Sequence, residues 1–184
     1  MRKTLLSHED ILKICSNIGS QLSTRYRFSE HPPVFIGVMK GAIPFLQDLV
    51  SHVDIPLYVD YIQISSYEGT STTGTIALKK DISIDIKDRD VIIVEDCVDT
   101  GISMNFLVDY FKRKYQPKSL ITVALIDKQG NRKMPFSVDY VGYVAGSEFL
   151  VGYGLDYYEL FRNVPEIFIP DSEEVASWDA LLRK

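Results

Sequence analysis

Short apolar runs alternate along this chain with stretches in which apolar residues recur every three or four positions. The runs predict strands that are buried on both faces. The recurring spacing predicts amphipathic helices that each turn one apolar face towards a core. Strands that alternate with helices favour an α/β fold, with a mostly parallel central sheet flanked by helices. No repeat, low-complexity tract or linker divides the sequence, so we expect a single domain spanning residues 1–184.

The boundaries of the predicted elements follow from capping and chain-breaking residues. Ser7 and Asp10 have the spacing of a capping box at the start of a first helix, and Asp171 is placed to cap a terminal helix. Two further helices follow Gly41 and Gly101. The predicted strands cover residues 34–39, 57–65, 76–78, 82–86, 91–94, 120–126, 140–144 and 166–169. Residues 66–75 have almost nothing to bury and are predicted to form a mobile loop.

The net charge of -5 changes the range of partners that we expect. Nucleic-acid binding usually needs a basic face, so the sequence predicts no nucleic-acid partner. A small phosphorylated substrate is compatible with this charge, because local hydrogen-bond donors and a metal ion can hold it.

The sequence predicts a cytoplasmic protein with no membrane partner. The first residues lack the apolar core of a signal peptide, and no apolar run approaches membrane-spanning length. Cys15 and Cys97 lie far apart without metal-ligand spacing, which favours reduced thiols in a reducing compartment. The three histidines are scattered, so we expect no histidine metal site.

The strongest candidate for chemistry follows the strand predicted at residues 91–94. Three acids and a short turn into a helix stand there: Glu95, Asp96, Asp99, Thr100, Gly101, Ile102 and Ser103. Ligands of open α/β sheets bind at the carboxyl ends of the strands. Consecutive amides at a helix N-terminus suit a phosphate, and Gly101 permits its close approach. The carboxylates of Glu95 and Asp96 suit the two ribose hydroxyls, either directly or through Mg²⁺.

A solvated turn is the alternative interpretation of these acids, because acidic residues favour a helix N-terminus. Here, however, three acids crowd within five residues, next to four apolar β-forming residues. Their mutual repulsion is unfavourable unless a cation or a ligand offsets it. The crowding therefore favours a ribose-phosphate binding site and an enzyme that handles a phosphorylated ribose.

Residues 91–101 resemble the signature of the type I phosphoribosyltransferases, and more narrowly that of the hypoxanthine-guanine phosphoribosyltransferases. The likeness continues in the same order and spacing through residues 38–41, 66–67, 127–128 and 149–157. It implies the type I phosphoribosyltransferase fold, with a core at about 34–145 and a small hood for the base from the N-terminal segment and about 146–184. It also implies small-molecule substrates, phosphoribosyl pyrophosphate and a 6-oxopurine, and assembly as a homodimer or homotetramer.

The resemblance assigns the leaving pyrophosphate to Lys40, Gly41 and Arg162. A lysine neutralises pyrophosphate as a point charge, and the Gly41 amide is placed to donate a hydrogen bond. An ordinary solvated lysine at a turn is the alternative for Lys40. The family has a non-proline cis peptide in this loop, which would fall between Met39 and Lys40.

Ser66 and Tyr67 resemble the flexible loop that closes over the pyrophosphate in this family. Such a loop shields the reacting ribose from water until the purine attacks. A flexible hairpin tip without a catalytic role is the alternative.

The resemblance assigns the purine to Lys128, Phe149, Leu150 and Asp156. Lys128 would donate to the exocyclic oxygen at position 6 and so select oxopurines over adenine. Phe149 would stack on the base, although a lone phenylalanine in an apolar segment is more often a core residue. The Leu150 backbone would contact the purine edge, and the Asp156 backbone would lie near position 2.

The implied reaction is purine salvage, in which N9 of hypoxanthine, and of guanine, receives the 5-phosphoribosyl group of phosphoribosyl pyrophosphate. The implied cofactor is Mg²⁺, with Glu95, Asp96 and Asp156 as carboxylate ligands. Asp99 is the implied catalytic residue, which would accept or share the proton at purine N7.

Two departures from the family pattern affect these expectations. Ser103 stands where the family usually has threonine, which keeps the hydroxyl. Residues 145–147 are Ala-Gly-Ser where the family often has Ile-Pro-Asp, so the shape of the base pocket stays open. A xanthine-preferring phosphoribosyltransferase is therefore one alternative. A nucleotide-sensing, RNA-binding regulator of the same fold is another, although the lack of a basic stripe counts against it.

Overall fold

Strands and helices alternate along the chain in a computed structural model that describes residues 2–67 and 75–183. The strands are β1 (Lys3–Leu6), β2 (Val34–Met39), β3 (Tyr58–Tyr67), β4 (Thr75–Lys80), β5 (Asp90–Val98), β6 (Ser119–Asp127), β7 (Tyr140–Val144) and β8 (Ile167–Ile169). The helices are α1 (His8–Tyr26), α2 (Ile43–Ser51), α3 (Ile102–Lys114) and α4 (Ser172–Leu182), with a 3₁₀ turn at Gln129–Asn131.

The central sheet has six strands in the order β4-β3-β2-β5-β6-β7. All neighbouring pairs are parallel except β3 and β4, which pair antiparallel at one edge. A second, two-stranded sheet pairs β1 with β8 antiparallel. The predicted fold class, a mostly parallel sheet flanked by helices, is confirmed.

Two hydrophobic cores lie on opposite faces of the central sheet. Ile92 and Val94 of β5 pack into the core that α1 and α2 cover, whereas Val91 and Ile93 pack into the core that α3 covers. All four side chains are completely buried. Each contributes about 1.5–3 kcal/mol when fully buried, which explains why residues 91–94 of β5 form an uninterrupted apolar run.

The ends of α1 and α4 confirm the predicted caps. In α1 the Ser7 hydroxyl accepts the amide of Asp10, whose carboxylate accepts the amide of Ser7 in return. Asp171 forms the corresponding box at the start of α4 with Glu174. Within residues 2–67 and 75–183, no helix has the length and apolar character that a membrane crossing requires.

The strand predicted at residues 82–86 is wrong, because a buried carboxylate binds the backbone there. Asp60 of β3 accepts the amides of Ser83 at 2.6 Å and Ile84 at 2.9 Å. Amides that are bound to a side chain cannot join a strand ladder, so this segment runs as an irregular connection. The apolar side chain of Ile86 is still completely buried, which accounts for the strand-like pattern.

Other strands also differ from the prediction: β1 was missed, and several strands have other ends, most of all β5, which continues from the predicted residues 91–94 to Val98. The pattern did not reveal β1, whose only buried side chain is Leu6. Ser66 and Tyr67 belong to the backbone of β3 and pair with β4, so the strand extends two residues further than predicted. Their side chains and residues 68–74 lie outside the described residues, and the flexible-loop assignment of Ser66 and Tyr67 stays a prediction.

Candidate active site

The carboxyl ends of three neighbouring strands form one edge of the sheet. β5 lies between β2 and β6 and is parallel to both. The loop after β2 begins with Lys40 and Gly41, and the segment after β6 begins with Lys128. The acidic end of β5 therefore lies between the two loops that carry the predicted lysines.

A left-handed turn at Gly101 joins β5 to α3. Gly101 has a φ of 79°, which glycine adopts without steric cost, and a Cβ there would lie 2.7 Å from the carbonyl oxygen of Met134. The turn borders a cavity of about 150 Å³. Five of the predicted ribose-phosphate residues line it: Glu95, Asp99, Thr100, Gly101 and Ser103. The first amides of α3 have no partner within the helix, and such amides suit a phosphate.

The other two predicted residues of this segment have different positions. Ile102 is the first residue of α3 and lies next to the cavity, where its amide is 3.4 Å from the Thr100 hydroxyl oxygen. The Asp96 carboxylate lies against Gly41 of the neighbouring loop. The turn at residues 100–103 and the acidic pair thus lie side by side.

Glu95 and Asp96 form an adjacent pair of enclosed carboxylates. Burial, reinforced by the charge of Asp96, raises the pKa of Glu95 well above its ordinary value. Burial also raises the pKa of Asp96, although the amide of Cys97 donates to its Oδ1 at 2.8 Å. Neither carboxylate forms an ion pair with a described lysine or arginine. The charge of Arg162 acts on Asp96 from beyond ion-pair distance. Carboxylate oxygens outside an ion pair fit Mg²⁺, which prefers oxygen ligands.

Asp156, the third predicted metal ligand, is paired with an arginine instead. Its Oδ1 lies 2.8 Å from Nη2 of Arg162, and its Oδ2 accepts the amide of Glu159 at 2.8 Å. Within the described part of the chain, no three histidine, cysteine or acidic side chains are grouped to hold a metal ion. The three predicted ligands are therefore not brought together in this conformation.

Lys40 and Arg162, the predicted pyrophosphate cations, share an acidic partner that sequence reasoning missed. Glu159 lies 2.7 Å from Nζ of Lys40 and 3.3 Å from Nη2 of Arg162. The Lys40 ammonium, with Arg162, lowers the pKa of Glu159. Lys40 is thus an ion-paired residue at the site, and the peptide between Met39 and Lys40 is cis, as the resemblance implies.

Two glycines allow three loops to meet beside Asp96. A Cβ on Gly41 would lie 1.8 Å from Oδ2 of Asp96, which no side chain tolerates. A Cβ on Gly154 would lie 1.9 Å from the carbonyl oxygen of Gly41, and Gly154 also has a φ of 95°. The backbone around Gly154 therefore approaches the backbone of Gly41 directly, and the Asp96 side chain of β5 lies against the other side of Gly41.

The predicted purine residues lie beyond this meeting point. Lys128 is buried, and its Nζ donates to the carbonyl oxygen of Glu148 at 2.8 Å. Leu150 is buried, whereas Phe149 is 51% exposed and is therefore not the core residue that its apolar neighbours suggest. Lys128 is linked directly to the segment that carries Phe149, so the structure brings these residues together.

Arg132 connects the turn at Gly101 to the segment after β6. The sequence pattern does not indicate this role for Arg132. Its Nη1 donates to the carbonyl oxygens of Val98 at 2.8 Å and Asp99 at 2.7 Å. Its Nη2 pairs with the carboxylate of Asp127, and its Nε donates to the carbonyl oxygen of Phe136. Because Arg132 lies in a polar segment, its pattern is that of a solvated loop, and only the tertiary structure reveals its enclosed contacts.

Comparisons with known proteins identify the family of this chain. Residues 1–158 match the model of the phosphoribosyl transferase domain. The chain is 40% identical over 175 residues to the hypoxanthine-guanine phosphoribosyltransferase of Streptococcus pyogenes serotype M3, which covers 94% of this chain and 95% of that protein. It is similar to the solved hypoxanthine phosphoribosyltransferase of Staphylococcus aureus, with a TM-score of 0.87, 38% identity and coverage of 94% and 92% of the two chains. The Trypanosoma cruzi enzyme, solved in complex with its product IMP, gives a TM-score of 0.86 and 32% identity, with coverage of 93% and 95%.

Proposed function

The chain belongs to the phosphoribosyl transferase family and, within it, to the hypoxanthine-guanine phosphoribosyltransferases. From this we propose which residues bind each part of the substrates and which residue takes part in proton transfer. The enzyme serves purine salvage by transferring the 5-phosphoribosyl group of phosphoribosyl pyrophosphate to hypoxanthine or guanine. Pyrophosphate leaves, and the products are IMP and GMP. The convergence of the loops after β2, β5 and β6 at one sheet edge is the observation that carries the assignment of roles.

The donor's 5-phosphate binds at the turn from Thr100 to Ser103. The cavity there, the first amides of α3, which have no partner within the helix, and the two hydroxyls support this role. Glu95 and Asp96 accept hydrogen bonds from the ribose hydroxyls.

Glu95 and Asp96 are also the residues that would hold Mg²⁺. Their raised pKa values and their lack of a cationic partner among the described residues support this role. When bound, the ion supplies positive charge that offsets the carboxylates and the pyrophosphate. Asp156 is paired with Arg162 and would have to separate from it to serve as a third ligand.

Lys40, Gly41 and Arg162 bind the pyrophosphate. Lys40 and Arg162 are both paired with Glu159, so we infer that pyrophosphate replaces this carboxylate. The transition state carries positive charge at the anomeric carbon and negative charge on the leaving group, and Lys40 stabilises the latter. The loop entered through Ser66 and Tyr67 closes over the site and excludes water.

The purine lies between Lys128 and the segment from Phe149 to Asp156. Lys128 donates to the oxygen at position 6, Phe149 stacks on the ring, and the backbones of Leu150 and Asp156 contact its edge. Asp99, which lines the phosphate cavity, accepts or shares the proton at N7.

Turnover with hypoxanthine, guanine, xanthine and adenine, measured side by side with phosphoribosyl pyrophosphate and Mg²⁺, tests this function. We expect turnover of hypoxanthine and guanine and little of adenine, because the 6-amino group of adenine would present the Lys128 ammonium with a donor in place of an acceptor. A preference for xanthine would reassign the base pocket to that purine. Salt-sensitive RNA binding without release of pyrophosphate would replace the enzyme by a regulator.

We further propose that the enzyme acts in the cytoplasm as a homodimer or homotetramer, without nucleic-acid or membrane partners. Cys15 and Cys97 are free thiols, which supports a reducing compartment. Burial raises the pKa of both thiols to about 12, so they are poorly reactive. We also retain one domain, with its core at about 34–145 and its hood from the N-terminal segment and about 146–184.

A further inference from the structure

The terminal helix α4 lies outside the part of the chain that matches the family model, which ends at residue 158. None of its own residues is buried. It nevertheless contacts the hood through one aromatic side chain, Trp178. The Trp178 ring centroid lies 4.2 Å from that of Phe161, 5.4 Å from Tyr157 and 6.3 Å from Phe168. Trp178 therefore covers the segment that follows Asp156.

Tyr157 connects this helix to the proposed purine site. Its hydroxyl donates to Oδ1 of Asp179 at 2.5 Å, and its ring meets Phe149 edge-on, with centroids 6.0 Å apart and planes at 75°. The carboxylate of Asp179 raises the pKa of Tyr157 to about 12, so the phenol stays protonated as a donor at neutral pH. A continuous series of contacts thus runs from α4 through Tyr157 to Phe149.

The backbone between these contacts needs external support. Tyr158, Glu159 and Phe161 have φ values of 48°, 69° and 71°, in the left-handed region that non-glycine residues rarely adopt. Such conformations persist where surrounding contacts hold them. Trp178 stacks on Phe161 within this segment, so α4 is placed to supply that support.

We propose that α4 is a positioning element for the purine: Trp178 and Asp179 fix Tyr157, and the ring of Tyr157 fixes Phe149 at the angle that stacking requires. This inference rests on the proposed role of Phe149. A half-exposed phenylalanine needs such a neighbour, because a freely rotating ring loses rotamer freedom when the base binds. The edge-on geometry of the two rings is one of the favourable arrangements of an aromatic pair.

Removal of the hydrogen bond between Tyr157 and Asp179 tests the first link. In Tyr157→Phe and Asp179→Asn we expect the KM for hypoxanthine to rise about three- to tenfold, the effect of one lost hydrogen bond. The KM for phosphoribosyl pyrophosphate should change by less than about twofold. Glu173→Gln, which removes one charge from the same helix, is the matched control and should leave both KM values unchanged. An equal rise in both KM values, or no rise, would overturn the proposal.

Trp178 variants test the second link and separate positioning from stability. Trp178→Ala should raise the KM for hypoxanthine, and Trp178→Phe should restore most of the loss because it keeps an aromatic ring over Phe161. Both variants are assayed well below their measured Tm. The proposal would be contradicted if the KM for hypoxanthine rose in proportion to the loss of Tm across the variants and did not recover in Trp178→Phe. In that case α4 would only stabilise the fold.

Trp178 also reports directly on the base, because it is the sole tryptophan of the chain. IMP should change the tryptophan emission of the unaltered enzyme. Any response to pyrophosphate with Mg²⁺, which binds Arg162 beside the segment that Trp178 covers, should be the same in the unaltered enzyme and in Phe149→Ala. The change with IMP should disappear in Phe149→Ala at IMP concentrations that equilibrium dialysis shows to be saturating. Emission that ignores IMP in the unaltered enzyme, or responds equally in Phe149→Ala, would overturn the coupling. Hypoxanthine turnover by the unaltered enzyme tests the proposed function separately, so the two failures are distinguishable.

Discussion

At the scale of single residues, Asp99 has the most demanding assignment. It lines the phosphate cavity, and its own carbonyl oxygen is held by Arg132 at 2.7 Å, so its backbone position does not depend on its carboxylate. Asp99→Asn should therefore preserve donor binding and remove the proton acceptor. We expect kcat to fall about 10²- to 10⁴-fold, the usual contribution of general acid–base catalysis.

Calorimetric titration with phosphoribosyl pyrophosphate checks that the Asp99→Asn site is intact. Asp109→Asn removes an exposed carboxylate from the outer face of α3 and is the matched control. Near-normal turnover in Asp99→Asn would contradict the assignment of Asp99.

Arg132 supports a second residue-scale expectation, because it positions the turn without contacting substrate. Arg132→Lys keeps one positive charge for Asp127 but loses the forked donors that bind the carbonyl oxygens of Val98 and Asp99. We expect kcat to fall about 10²-fold, as displacements of about 1 Å do at active sites. Arg113→Lys, on the exposed face of α3, should have no effect. If kcat survives in Arg132→Lys at temperatures where the fold is intact, the residue stabilises the loop without orienting it.

At the scale of elements, the predictable parts were those whose local pattern and tertiary environment agree. The apolar run at residues 91–94 is buried on both faces and was predicted correctly as a strand, because such a run is a local signal. The strand continues to Val98, so Glu95 and Asp96 belong to it and do not follow it. Residues 82–86 have a similar apolar content but no strand, because Asp60, more than twenty residues away, binds their amides. Glu159 and Arg132 escaped prediction for the same reason, since their partners are distant in sequence.

The close approach of Gly154 to the loop after β2 gives a prediction at the scale of elements. Gly154→Ala should be strongly destabilising, because φ is 95° and the added Cβ would lie 1.9 Å from the carbonyl oxygen of Gly41. The left-handed backbone alone costs an alanine about 1–2 kcal/mol. Forced separation of the loops should also raise the KM for phosphoribosyl pyrophosphate. In Gly130→Ala the new Cβ meets nothing within 4 Å, so this control should match the unaltered protein in Tm and KM. Equal Tm values for the two variants would show that the loops tolerate separation.

At the scale of the whole molecule, carboxylates change the free energy of unfolding in two opposite directions: some stabilise the folded protein at neutral pH, whereas those of the acidic site destabilise it. Asp81 is an example of the second kind: it accepts hydrogen bonds from Tyr110, Lys114 and Tyr115, which hold its pKa at about 2 despite partial burial. Its folded form binds fewer protons than its unfolded form, so its contribution is present above its ordinary pKa and lost as the pH falls towards 2. Asp81→Asn should therefore lower Tm at neutral pH.

Glu95 should show the opposite dependence on pH. Its pKa in the folded protein is raised above the ordinary value of 4.5, so between these two pKa values the folded state binds more protons than the unfolded state. The free energy of unfolding therefore falls as the pH rises through that interval. Glu95→Gln removes this loss: its Tm should match the unaltered protein near pH 4 and exceed it at pH 8 by about 2–4 °C for each 1 kcal/mol relieved. Melting curves in Mg²⁺-free buffer between these pH values measure the difference.

Added Mg²⁺ should raise Tm more in the unaltered protein than in Glu95→Gln, because a ligand of the folded state stabilises it. If Tm changed with pH in the same way in both proteins, the ionised Glu95 carboxylate would not destabilise the fold. Neutralising its charge, by a proton or by Mg²⁺, would then not stabilise the protein.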